Sequence, residues 1–266
     1  MKELFRTYYY RLFHEKSTWV FFVLSLVFTL IQVVIMALIK KFGGYTDGSL
    51  AIIHSNLLFS GAFYIVVAFL FLYITRDWKD GTFRNLTLAG KTRNQIFFAA
   101  LLVSVSIFLV FMASSLGLAW IIGSISGFPV GLNSASAIMA FFVSWGMSFF
   151  FHLVIIAITV SFAFLIPSAF GSLGAFVGSL LALQIIASLA SLLAYSIGGQ
   201  SASTATSQWF LGNDLNIWGF YFSYSYYLDS SFPFVNWLYK SLIVGLSISG
   251  IFVFFGRLSF ISRDLK

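Results

Sequence analysis

A stretch of 120 consecutive residues without Asp, Glu, Lys or Arg, residues 94–213, constrains this chain more than any other feature. A helix needs about 20 apolar residues to cross the hydrocarbon core of a bilayer, so this stretch alone has room for three crossings. Only 9% of the whole chain is charged and 60% is hydrophobic, whereas about 25% of an average soluble domain is charged. The composition therefore excludes a water-soluble globule.

Three further charge-free runs complete the pattern, at residues 17–39, 48–75 and 241–256. Together the runs predict an all-α membrane protein with six transmembrane helices within residues 18–256. We place these helices near residues 18–39, 51–75, 95–122, 138–165, 173–197 and 237–256.

The basic residues predict the orientation, because Lys and Arg are enriched in cytoplasmic loops. The chain has 15 of them, and all but Lys40, Lys41 and Lys240 fall in the N-terminal segment, in the loop 76–94 or in the tail 257–266. Six spans place these three pieces on one side of the membrane. Both termini are therefore expected in the cytoplasm.

The segment 1–17 is expected to form a helix that lies on the membrane surface. An apolar stripe recurs at helical spacing, formed by Phe5, Tyr8, Tyr9, Leu12 and Phe13. The basic residues of the same segment can meet anionic lipid of the cytoplasmic leaflet. The helix is either a simple membrane anchor or an element that takes part in conformational coupling.

The outer segment 198–236 begins with small polar residues and then becomes densely aromatic. Such aromatic density is typical of the membrane interface. Non-helical backbone at membrane depth needs protein or water partners, so we predict short re-entrant or interfacial helices packed on the bundle. The aromatic residues form either an interfacial belt or part of a substrate path.

A few neutral polar residues fall inside the predicted spans, namely Gln32, Asn56, His152 and Gln184. An unpaired polar group in hydrocarbon costs several kcal/mol, so we expect them to face the bundle interior. There they either bond to neighbouring helices or contact substrate. Apart from Lys240 near the outer end of the sixth span, no charged residue lies in the predicted spans, and this disfavours a carrier driven by a proton or ion gradient.

Small residues crowd the start of the fifth predicted span. Gly174 and Gly178 form a G-x-x-x-G pair on one helix face, which predicts the close approach of another helix. The motif leaves open whether that helix belongs to this chain or to a second copy.

Several catalytic motifs are incomplete. Residues 89–92 read Ala-Gly-Lys-Thr, like the end of a P-loop, but the first glycine of that motif would fall at Asn85. His14 and Glu15 lack the second histidine of a zinc-protease helix, which would fall at Thr18. The chain has no cysteine. We therefore predict no enzymatic activity, no metal or cofactor bound by this chain, and no nucleic-acid partner.

The loop 76–94 is the one internal loop rich in charge. Phe83 and Leu86 are three residues apart, so they can share one face of a short helix and form an apolar docking surface. The loop carries Asp80, Gly81 and Thr82, followed about ten residues later by Thr92 and Arg93 at the start of the third span. In these residues, and in its layout, the chain resembles the ABC-2 family of ABC-transporter permeases, in particular small permeases of bacteriocin and peptide-antibiotic immunity or export.

The resemblance implies a permease subunit in the plasma (inner) membrane of a bacterium, exporting or expelling a hydrophobic or amphipathic substrate such as a peptide. It also implies a coupling loop at 76–94, with Asp80, Gly81, Thr82, Phe83, Leu86 and Arg93 as its residues. A second permease copy or a paralogue would complete the membrane domain. Separate cytoplasmic ABC ATPase subunits would bind ATP and Mg²⁺. Two rival functions remain: a secondary carrier, and a non-transporting membrane sensor or assembly partner.

Overall fold

The computed structural model of the protein describes residues 2–43, 61–127, 135–207 and 234–263. Over these residues the chain is helical and contains no strand, so the predicted all-α class is confirmed for them. The helices, in chain order, are α1 (Lys2–His14), α2 (Lys16–Gly43), α3 (Gly61–Lys79), α4 (Thr82–Leu88), α5 (Arg93–Ile125), α6 (Ala135–Leu165), α7 (Ala169–Ser207) and α8 (Phe234–Ser262).

The residues at the helix breaks explain why the helices end or begin there. Pro167 separates α6 from α7, because proline disfavours helical backbone in the residue before it and lacks an amide donor. Ser168 then caps α7, since its hydroxyl accepts a hydrogen bond from the amide of Gly171 at 3.4 Å. Gly199 interrupts α7 with φ 69° and ψ −160°, close to the predicted end of the fifth span at residue 197.

Three of the helices are long and apolar enough to cross a membrane: Lys16–Ile35, Arg93–Ile125 and Leu242–Ser262. They overlap the first, third and sixth predicted spans, and the last segment is displaced from its predicted span by five to six residues at each end. Within the described residues, shorter apolar stretches, Phe149–Leu165 and Ala169–Ala182, lie in the fourth and fifth. The second predicted span begins in residues that the structure does not describe. Six crossings and the orientation of the termini therefore stay predictions.

The chain divides into two compact units. The described part of the first unit lies within Met1–Phe69 and Leu102–Phe150. The described part of the second lies within Leu70–Leu101, Phe151–Phe220 and Pro233–Lys266. Long helices therefore contribute to both units, and each unit is described by itself.

Aromatic rings fill the core of the first unit. Phe111 of α5 packs against Phe22 of α2 and against Phe69 of α3, with ring centroids 5.2 and 6.0 Å apart. Phe63 and Phe108 meet edge to face at 5.8 Å. Such contacts add about 0.5–1.5 kcal/mol per pair to the free energy of burial.

Helix α1 packs through a face that only partly matches the predicted stripe. Leu4, Tyr8 and Leu12 are buried at a spacing of four residues, whereas Phe13 is exposed. The turn into α2 is fixed by an ion pair between Arg11 and Glu15 at 3.1 Å. Leu4 therefore joins the face that packs inside the unit, and contact of the predicted stripe with the membrane surface stays a prediction.

The second unit contains a close approach between two helices. A Cβ atom placed on Gly256 of α8 would lie 2.8 Å from the backbone Cα of Ser161 in α6. A side chain at residue 256 would thus collide with backbone that cannot yield. Farther along the unit, Phe176 of α7 packs on Phe71 at 5.5 Å.

Candidate functional site

Two glycines shape the loop between α3 and α5. Gly81, just before α4, has φ 67°, and Gly90, just after it, has φ 80°, values that residues with a Cβ rarely adopt. Amides of Gly90 and Lys91 donate to the carbonyls of Thr87 and Leu86 and close the end of α4. Gly90 therefore ends α4.

Helix α4 has one buried and one exposed face. Phe83 is 1% exposed, and Leu86 is half-buried. Arg84, Asn85 and Leu88 are exposed, and Leu88 is 76% exposed. The expectation that Phe83 belongs to a docking surface is therefore wrong, since its ring packs inside its own unit. The exposed apolar residue of α4 is Leu88, which the spacing argument did not single out.

Phe83 belongs to a cluster of five rings, which we call the loop-anchor cluster: Trp78, Phe83, Phe97, Phe164 and Phe260. The ring centroid of Phe83 lies 5.1 Å from that of Trp78, 5.1 Å from that of Phe164 and 5.3 Å from that of Phe260. Phe164 also contacts Phe97 at 5.0 Å and Phe260 at 4.8 Å. The cluster therefore joins α4 to the end of α3, the start of α5 and the ends of α6 and α8.

Hydrogen bonds reinforce the cluster at the end of α6. The indole Nε1 of Trp78 donates to the carbonyl of Ala163 at 3.1 Å. The Arg263 guanidinium donates from Nη2 to the carbonyl of Leu165 at 3.0 Å and lies 5.2 Å from the centroid of the Trp78 ring. A cation at a helix C-terminus is favourable because the last carbonyls carry partial negative charge.

Thr92 and Gln95 form a capping box at the start of α5. The amide of Gln95 donates to the Thr92 hydroxyl at 3.3 Å, and the amide of Thr92 donates to Oε1 of Gln95 at 3.2 Å. Two amides that lack helical partners are thus satisfied. The pair fixes the position of Arg93 as the first residue of α5.

Arg93 closes the C-terminal end of α8. Its Nη1 donates to the carbonyls of Phe260 at 3.2 Å, Arg263 at 2.6 Å and Ile261. One turn away, Nε of Arg257 donates to Oδ1 of Asn94 at 2.7 Å. The predicted site residue Arg93 is therefore a clamp between two helix ends, and its positive charge complements the carbonyls it meets.

The remaining predicted loop residues lie nearer the surface. Asp80 pairs with Arg76 at 3.1 Å, and both side chains are exposed, so the pair contributes little to stability. Thr82 is half-buried at the start of α4. By contrast Asp77, which sequence reasoning did not select, is buried.

Of the predicted intramembrane polar residues, the structure describes the side chains of His152 and Gln32, which belong to different units. His152 is 2% exposed in α6. Gln32 is half-buried in α2, and its Oε1 has no hydrogen-bond partner among the described residues. Asn56 lies outside the described residues, as does the side chain of Gln184.

The predicted packing face on α7 is open. Gly174 and Gly178 are exposed, and a Cβ at either would meet nothing within 4 Å. Close packing at this face stays a prediction, and within the described residues its partner is not another helix of this chain. The close contact between Gly256 and Ser161 was missed because the glycine lies alone, without a second glycine at a spacing of four.

Comparison of the chain with protein-family models, with curated proteins and with solved structures found no match.

Proposed function

We propose that the chain is the membrane-spanning permease subunit of a bacterial ABC transporter. In this proposal six helices cross the plasma membrane, both termini are cytoplasmic, and α4 docks on a separate ATPase subunit. The observation that supports it most is the construction of α4: one face is exposed and the other is joined to several helix ends through the loop-anchor cluster.

The exposed face of α4 suits a docking surface. The apolar side chain of Leu88 is exposed on the surface of α4, and Arg84, four residues earlier, lies on the same face. An isolated apolar residue beside a cation fits a small hydrophobic groove with an acidic rim. Leu88 thus replaces Phe83 as the residue that enters the partner.

The buried face of α4 suits the transmission of movement. Phe83 contacts Phe164 near the end of α6 and Phe260 near the end of α8. Packed side chains move together because interiors are dense and have low compressibility. A displacement of α4 by an ATPase subunit would therefore shift the ends of these helices, as alternating access requires.

The substrate class follows from the uncharged spans. Over residues 94–213 no charged side chain is present to line a path for a small ion. An apolar or amphipathic substrate suits such a path, and a peptide is the substrate that the resemblance to bacteriocin and antibiotic permeases implies. A second copy or a paralogue, packed through Gly174 and Gly178, would complete the transporter, while ATP and Mg²⁺ bind to the ATPase.

Replacing Leu88 with aspartate tests the docking. A charge placed in an apolar groove stays unpaired, so we expect ATP hydrolysis that co-purifies with the tagged chain to fall by about tenfold or more. The amount and the thermal stability of the membrane-inserted chain should not change, because Leu88 is exposed.

Leu88→Met and Lys79→Ala are the matched controls. Methionine keeps the volume and apolar character of residue 88, and Lys79 is an exposed cation of the same loop. Both variants should retain the ATP hydrolysis of the unchanged chain. Full hydrolysis with Leu88→Asp, or no hydrolysis with the unchanged chain, would contradict the proposal.

A further inference from the structure

A cavity of about 160 Å³ lies between α1, α2 and α5 within the first unit. Its lining is apolar apart from two hydroxyl side chains and one phenol, and it includes Tyr9, Phe13, Thr18, Trp19, Val110 and Phe111. Cavities of roughly 150 Å³ with aliphatic and aromatic walls stay dry and accept small hydrocarbons. This cavity is therefore suited to a short length of hydrocarbon chain.

A polar group without a partner marks the wall of the cavity. Thr18 is 7% exposed, and its Oγ1 makes no hydrogen bond to any residue that the structure describes. Ser25 and Thr29, farther along α2, donate to backbone carbonyls three and four residues earlier. Thr18 lies in the first turn of α2, just after the break between α1 and α2 at Glu15. A buried hydroxyl without a partner is costly, so a ligand that accepts its proton would be stabilised.

Positive charge shares a face of α1 with the cavity. Lys2, Arg6, Tyr9 and Phe13 follow each other at spacings of four, three and four residues, which places them on one side of the helix. Lys2 and Arg6 are exposed, whereas Tyr9 and Phe13 line the cavity. The side of α1 that borders the apolar cavity therefore also attracts an anion.

The rim of the cavity is apolar where α2 begins. Phe13, Trp19 and Val110 line the cavity and are each more than half exposed. Trp19 also donates from its indole to the carbonyl of Phe13 at 3.0 Å, which holds the rim together across the turn from α1 to α2. An aromatic rim at the start of an apolar helix is the arrangement found at membrane interfaces.

We infer that this cavity binds an anionic phospholipid of the leaflet that α1 faces. Part of one acyl chain fills the cavity, the Thr18 hydroxyl donates to an ester carbonyl, and Lys2 and Arg6 hold the phosphate. The hydrocarbon cavity, the buried donor and the cations on the same side of α1 provide one group for each part of a phospholipid: the chain, the ester and the phosphate. The inference goes beyond the transport function and does not depend on an ATPase partner.

The test measures binding of phosphatidylglycerol and of phosphatidylcholine with the same acyl chains to the detergent-purified, delipidated full chain, by native mass spectrometry. We expect the unchanged chain to bind phosphatidylglycerol more tightly. Val110→Trp should weaken that binding by about tenfold, because the larger side chain occupies the mouth of the cavity. Leu109→Trp is the control, since Leu109 is exposed on the same helix but does not line the cavity.

Two further variants separate the ester contact from the phosphate contact. Thr18→Val keeps the shape of the side chain and should weaken binding of both lipids alike. Arg6→Gln should remove the preference for phosphatidylglycerol, whereas Arg84→Gln, an exposed cation of α4, should preserve it. If Val110→Trp and Thr18→Val bind phosphatidylglycerol as the unchanged chain does, or if both lipids bind equally to the unchanged chain, the inference is wrong.

Discussion

Replacing Phe83 with alanine should lower the free energy of unfolding by about 3–5 kcal/mol, the usual cost of removing a buried phenylalanine. The ring is 1% exposed and contacts Trp78, Phe164 and Phe260, so truncation leaves a hole shared by several helix ends. Thermal unfolding in detergent measures the effect, and for a chain of this size the midpoint should fall by about 10 °C.

Phe170→Ala provides the matched control for this experiment. Phe170 is 87% exposed at the start of α7, so the same substitution there should shift the midpoint little. Equal midpoints for Phe83→Ala and the unchanged chain would show that the ring is not an anchor. The account of α4 as a rigidly held docking element would then fail.

Replacing Arg93 with alanine should lower the free energy of unfolding by about 2–3 kcal/mol, because hydrogen bonds that involve a charged group are strong and their loss leaves partly buried carbonyls unsatisfied. The guanidinium contacts carbonyls of Phe260, Ile261 and Arg263 at the end of α8. We expect the end of α8 to loosen first. Thermal unfolding measures the loss of stability, and the rate of protease cleavage in the segment that follows residue 256 measures the loosening of α8.

Arg76→Ala is the control for Arg93. Arg76 pairs with Asp80, but both side chains are exposed and solvent screens the pair. Its loss should therefore change the midpoint by much less than the loss of Arg93. Comparable midpoints for the two variants would mean that the contacts of Arg93 do not hold α8.

Much of the helical layout could be predicted because hydrophobic runs and charge gaps are properties of the chain itself. The described helices α2, α5 and α8 coincide with predicted spans and are long and apolar enough to cross a membrane. The predicted end of the fifth span at residue 197 lies two residues before the break at Gly199 in α7, and the span itself stays a prediction.

In the loop 76–94 the sequence predicted the short helix but not which of its faces is buried. The spacing of Phe83 and Leu86 correctly placed two apolar residues on a short helix. Seven residues make fewer than two full turns, so the pattern could not distinguish the face that packs inward from the face that stays exposed. Burial of Phe83 depends on Phe164 and Phe260, which are far away in the sequence.

The contacts of Arg257 and Arg263 were also not predicted from the sequence. Arg257 and Arg263 were counted only as charges that favour the cytoplasmic side, yet they bond to Asn94 and to the carbonyl of Leu165. Their position just before and after the end of a long apolar helix was a usable signal, since basic side chains are favourable there. Which carbonyls they reach depends on how the helices pack.

The most direct test of the proposed function is a photo-reactive amino acid at position 88 in the intact cell. The prediction is a covalent adduct between the chain and a protein that carries a Walker-type nucleotide-binding site, and no such adduct from position 83, whose side chain is buried. Absence of that adduct from position 88, or an adduct formed instead with a protein that has no nucleotide-binding site, would contradict the proposal that α4 docks on an ATPase.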